Sequence, residues 1–249
     1  MIKDHLLLRY LEEQDFVDIF MSGHIRLNSL DFFRGDHDEP TKDGQIDTRE
    51  GLVCPIDASS VSDCSQSDGY RYCNLLCCNR LNYVQDGDTI GWYMNVGMEA
   101  FGSYVVIIKD PDEFQRRLVD AASRQDYRCL CHNVNYGDSF ASSRDVFDKS
   151  SDYSYQNEWR AALYRGIQVS EPCELFIGPI SDIAEWCYTA ELDYCLARIF
   201  HDRDFRNTGN AEASTSGNTG DSISEKTVVS TAGNITREEM LRLFTAADQ

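Results

Sequence analysis

Apolar and polar positions change their period within the first dozen residues. His5-Leu6-Leu7-Leu8-Arg9-Tyr10 is short and apolar with charge at its border, which predicts a strand. From about Glu12 to Ser22 the spacing turns helical. Phe16, Ile19 and Phe20 predict a core face, Glu12, Glu13 and Asp15 sit where the helix dipole favours acids, and Gly23 supplies a stop. Period two returns at once, with Ile25, Leu27 and Ser29 on one face and Arg26, Asn28 and Leu30 on the other. The opening unit is strand, helix, Gly, strand.

Residues 32–68 are polar and rich in Gly, Pro, Asp and Ser, which predicts a long functional or disordered loop. Strand-like runs follow at 70–78, 89–94 and 104–108. Asp110-Pro111-Asp112-Glu113 is a helix entry, and Phe114, Leu118 and Val119 carry an apolar stripe to about Ser123. Further strands are predicted at 127–134, at 153–164 and at 173–180, the last stopped by Gly178-Pro179. Residues 181–187, capped by Ser181, and 190–200 read as closing helices. The pattern then dissolves into a flexible Gly/Ser/Thr-rich linker over 207–234. Thr236-x-x-Glu239 is a capping box ahead of Met240, Leu243 and Phe244, so 235–249 should form a short amphipathic helix. The fold class expected for 1–206 is one α+β domain, a mixed, mostly antiparallel sheet with flanking helices.

The charge adds a constraint on partners. Asp and Glu number 42 against 23 Lys and Arg, giving a formal net charge of −19, and such a surface repels phosphate backbones unless its arginines cluster. No stretch approaches the roughly 18 apolar residues of a membrane span, and the expected location is cytoplasmic. The ten cysteines contain no C-x-x-C pair, and most read as small buried hydrophobes. Cys129, Cys131 and His132 would need a distant thiol to hold zinc, so no metal is assigned.

Familiar catalytic signatures are missing. The chain has no Walker loop, no G-x-G-x-x-G opening a helix, no G-x-S-x-G elbow and no H-E-x-x-H. What stands out is the aromatic run over 153–164. Alternation puts Tyr155, Asn157 and Trp159 on one strand face and Gln156, Glu158 and Arg160 on the other, so one face packs and the other can meet a ligand.

Arg9 near the end of the first strand, the Gly-closed helix, the second strand and the late Gln156-x-Glu158 pair together resemble the ADP-ribosyltransferase superfamily. The Ser-Thr-Ser motif of that family's middle strand is missing, since Ser214-Thr215-Ser216 follows the glutamate. The chain is also similar to a group of poorly characterised bacterial and phage proteins with a "YR" strand, an F-x-x-G segment and an aromatic Q-x-E-(aromatic)-R strand. Here those are Leu8-Arg9-Tyr10, Ile19 to Leu27 and Tyr155 to Arg160. The resemblance implies an ADP-ribosyltransferase-like sheet with NAD as substrate. It also implies Glu158 stabilising positive charge on the sugar, Gln156 orienting the acceptor, Arg9 holding a ribose or phosphate oxygen and Tyr10 stacking on nicotinamide. The acceptor would be a protein or a nucleic acid, in a toxin or phage-conflict setting. The competing expectation is a non-catalytic, defence-associated binding protein whose acidic surface mimics nucleic acid or engages a basic protein partner. Arg9 and Glu158 facing one cleft is the geometry that distinguishes the enzyme.

Overall fold

The computed structural model describes residues 5–34, 52–53, 65–66, 73–86, 89–94, 97–137, 145–167, 171–200 and 228–232. β1 (His5–Leu11), α1 (Gln14–Met21), β2 (His24–Ser29) and α2 (Leu30–Arg34) open the chain. β3 (Leu52–Val53) and β4 (Ser65–Gln66) make a small ribbon, and β5 (Cys73–Asp86) and β6 (Thr89–Met94) form an antiparallel pair. After them come β7 (Tyr104–Ile108), α3 (Pro111–Ser123), β8 (Arg128–Asn133), β9 (Asn135–Tyr136) and β10 (Asp148–Lys149). The order closes with β11 (Glu158–Tyr164), β12 (Cys173–Phe176), β13 (Ala184–Tyr188), helix α4 over 192–200 and β14 (Val228–Ala232).

A ten-stranded sheet organises these elements, following the path β12-β2-β5-β1-β7-β13 with β11, β8, β6 and β14 attached beside it. Every pairing in it is antiparallel except that of β14 with β6. The α+β class with a mostly antiparallel sheet therefore stands. β5 is the hub. Asn79 pairs with Leu8 of β1 on one side and Glu158 of β11 on the other, while Asn74 and Leu75 pair with β2 and with β11. β1 and β2 consequently share one edge of β5 and leave 76–78 without a strand between them among the described residues. This fissure positions the site.

Apolar side chains cover both faces of the sheet. On one face α1 and α3 seat Val17, Phe20, Phe114 and Leu118 against Leu76, Val106, Trp159 and Leu163. On the other, Leu6, Leu8, Leu81 and Ile107 pack beneath Leu196, Ile199 and Phe200 of α4, and Leu75 and Ala162 pack with Leu30, Val146 and Phe147. Asp110 caps α3 by accepting a hydrogen bond from the Glu113 amide at 2.9 Å, with Pro111 just inside the helix. The Gly23 stop has a second cause: its φ is +91°, and a Cβ there would lie 1.9 Å from the Gly178 carbonyl oxygen.

Three expectations are corrected. In α1 the sheet-facing residues are Val17 and Phe20, whereas Phe16 and Ile19 are about half exposed, at 49% and 52%. With only eight residues, the helix turns one narrow stripe inward. Residues 181–183 form a turn and 184–188 a strand, because the open edge of β7 recruits them; that pairing overrides the helical cap signal of Ser181. Over 153–164 the strand starts only at Glu158: Ser150 caps a 3-10 turn, Ser151–Gln156, and Asn157 takes a left-handed φ of +40°. Ile25, Leu27 and Ser29 are all buried, as their alternation predicts. Within the predicted linker Val228–Ala232 forms β14; the rest of it, the helix over 235–249 and most of the 32–68 loop lie outside the described residues.

Candidate functional site

β11 is buried along nearly its whole length, and its even residues and odd residues face opposite sides of the sheet. Trp159 points into the α3 face, with its ring 6.3 Å from that of Phe114. Glu158 and Arg160 point the other way, toward the fissure. Both are buried, at 7% and 0% exposure, and a charged pair tolerates that only with close partners.

Those partners are present. Glu158 Oε2 accepts from Arg160 Nε at 2.7 Å, and Glu158 Oε1 accepts from Lys149 Nζ at 2.8 Å. Arg160 also donates to the Val146 carbonyl at 2.5 Å, and the Lys149 ammonium lies 4.7 Å from the centre of the Tyr153 ring. Burial alone would push the Glu158 carboxyl up, but Arg160 and then Lys149 outweigh it and hold the group down at about 2. Glu158 is thus a fixed anion. Its backbone amide donates to the Tyr136 hydroxyl at 2.8 Å, and burial followed by the Glu158 charge pushes that phenol above its ordinary range.

Gln156 reaches the same place by another route. It lies in the 3-10 turn rather than on the strand, and the left-handed Asn157 brings it back beside Glu158. Its Oε1 accepts from Lys149 Nζ at 2.7 Å, so one ammonium bridges the two side chains. Asn79 of β5 donates to the Gln156 carbonyl at 2.5 Å, and Asn157 donates to the Arg80 carbonyl, which ties the turn to the hub strand.

Arg9 enters from β1. Where β1 peels away from β5, its guanidinium crosses the fissure and NH1 donates to the Cys77 carbonyl at 2.8 Å, replacing a strand partner that is absent there. Its Nε is buried and has no hydrogen-bond partner among the described residues. The fissure opens into a cavity of ≈140 Å³ lined by Arg9, Tyr10, Gln156 and Glu158, the four residues to which the resemblance points. Lys149, Arg160, Asn28 and Asn79 add polar wall, and Phe32, Phe33, Met98 and Phe101 add apolar wall.

Lys149 is the residue that sequence reasoning missed. The signal was available: it is one of only five lysines, and it precedes the aromatic run by four residues. Asn28, Asn79 and the α2 phenylalanines carried no such signal, since their place depends on how three strands and a short helix meet. Trp159 belongs to the core on the α3 face. Among the described residues, no group of three or more His, Cys, Asp or Glu is arranged to hold a metal ion. No helix among them is long and apolar enough to cross a membrane.

No family model matches the chain, no curated protein matches its sequence, and no solved structure matches its fold.

Proposed function

We propose that the cavity receives the nicotinamide-ribose end of NAD and that the protein is an NAD-dependent ADP-ribosyltransferase. One observation carries this reading: Arg9 and Glu158, far apart in sequence, line one cavity. At ≈140 Å³ it suits a single ring, since an apolar cavity of about 150 Å³ is known to bind benzene. Tyr10, Phe32, Phe33 and Phe101 offer flat surfaces for that ring. Arg9 lines the same cavity, and its planar guanidinium suits a ribose or phosphate oxygen.

Glu158 acts here through its charge. A carboxyl held near 2 makes a poor general base at neutral pH, but it stays negative as positive charge develops on the sugar carbon during loss of nicotinamide. A carboxylate offers about four acceptor positions. Lys149 and Arg160 take one on each oxygen, so a ribose hydroxyl can still be bound. Gln156, held by Lys149, faces the same space for the acceptor, a protein or nucleic-acid group.

A second reading has its own observation. Both oxygens of Glu158 already carry a cation, which suits a binding module that holds a ligand without cleaving it. Incubation with NAD labelled in the nicotinamide and in the adenylate decides between them. The enzyme releases nicotinamide and labels an acceptor, and Glu158→Gln lowers that rate by about 10² to 10³. Arg9→Ala, which leaves the Glu158 triad intact, raises KM. Calorimetric binding of ADP-ribose with no release of nicotinamide favours the binding module, and absence of both rejects both readings.

A further inference from the structure

Cys129 and Cys131 lie on β8, which pairs on one side with β11, Cys131 opposite Ala161 and Cys129 opposite Leu163. Period two puts both thiols on the α3 face, away from Glu158 and Arg160. Their sulfurs are 3.9 Å apart, and both residues are half-buried at the rim of the core. Among the described cysteines, Cys73, Cys78, Cys173, Cys187 and Cys195 are buried outright.

Two outcomes are open to such a pair, and geometry separates them. A disulfide needs the sulfurs at about 2.05 Å and the Cα atoms within about 6.8 Å, whereas alternate residues of a strand stand roughly 6.4–6.8 Å apart. Closure would therefore work at the limit of the allowed span, against a ladder fixed by β11. Chelation asks far less. An ion with ion–sulfur bonds of about 2.3 Å and a tetrahedral angle spans about 3.8 Å between its sulfurs. The observed separation already meets that bite.

We infer that Cys129 and Cys131 form a two-thiol site for a soft, thiophilic metal or metalloid ion. The number of protein ligands narrows the class. No third His, Cys, Asp or Glu joins them among the described residues, and His132 is exposed with its ring edge-on to Phe147 at 5.1 Å. The ion is one that accepts two thiolates and completes its shell from elsewhere, which fits soft ions and excludes those demanding oxygen cages. A monosubstituted trivalent arsenical has two exchangeable positions. With R–As=O, two S–H bonds are lost, two As–S bonds form and the oxygen leaves as water, with no change of oxidation state. This site stands independently of the NAD reading.

The test uses the reduced full chain and phenylarsine oxide. Intact-mass measurement should show one tightly held phenylarsine that survives excess monothiol and leaves with a dithiol. Digestion should place it on the peptide carrying Cys129 and Cys131. Cys129→Ser and Cys131→Ser should each weaken retention by about 10² or more, as expected when a second attachment is lost, while Cys195→Ser keeps it. A phenylarsine mapped to other cysteines of the unaltered protein overturns the site, whatever the folding of the variants. So does full retention in both serine variants.

Discussion

Glu158 stays ionised between Arg160 and Lys149 with almost no exposure, so acid acts on it directly. Its carboxyl is lowered from 4.5 to about 2 by the fold, so the folded state binds that proton less readily than the unfolded chain. Its contribution to stability is therefore complete above about pH 4.5 and disappears as the pH falls toward about 2. Urea midpoints measured across that window should drop more in the unaltered protein than in Glu158→Gln; parallel curves would refute the assignment. At neutral pH, Glu158→Gln should cost about 3–5 kcal/mol, because it leaves two buried cations facing an amide. At this scale the sequence was half legible. Gln156 and Glu158 could be read as neighbours, but not their shared ammonium: Lys149 comes from a separate two-residue strand that only the fold brings in.

The elements follow their own patterns wherever local signals and pairing agree. α3 is the clearest instance, with Asp110, Pro111 and an acidic first turn predicting the observed start. Asp110→Ala should cost about 1 kcal/mol in chemical denaturation, by removing the acceptor of the Glu113 amide. Gly23 carries more than a helix stop. With φ at +91° and the Gly178 carbonyl where a Cβ would go, Gly23→Ala should destabilise by about 1–3 kcal/mol. Amide exchange should quicken in β12, whose register with β2 continues from that contact through Phe176 and His24. Unchanged exchange there would argue that the two segments adjust freely. Patterns misled where an edge was open: 184–188 pairs with β7 and becomes strand, and Asn157 bends what reads as one long strand into a turn and a strand.

For the molecule as a whole, a net charge of −19 means that like charges repel across the surface of the compact state. Raising salt from a few millimolar to about 0.1 M, where screening acts beyond about 10 Å, should raise the melting temperature by a few degrees in calorimetry. A fall in the melting temperature would show that attractive surface pairs such as Arg117–Asp182 and Arg116–Glu113 outweigh the repulsion. The sequence by itself determined the α+β class, most strands and the entry to α3, because alternation and capping are written over a few residues at a time; Arg9, Tyr10, Gln156 and Glu158, four of the residues that line the cavity, came from the resemblance of its motifs. The tertiary structure alone decided that β1 and β2 share one edge of β5 and part over 76–78, that Arg9 bridges the gap, and that Lys149 couples Gln156 to Glu158. Those contacts join segments separated by tens of residues, and strand order and register depend on which edges find each other rather than on any local pattern.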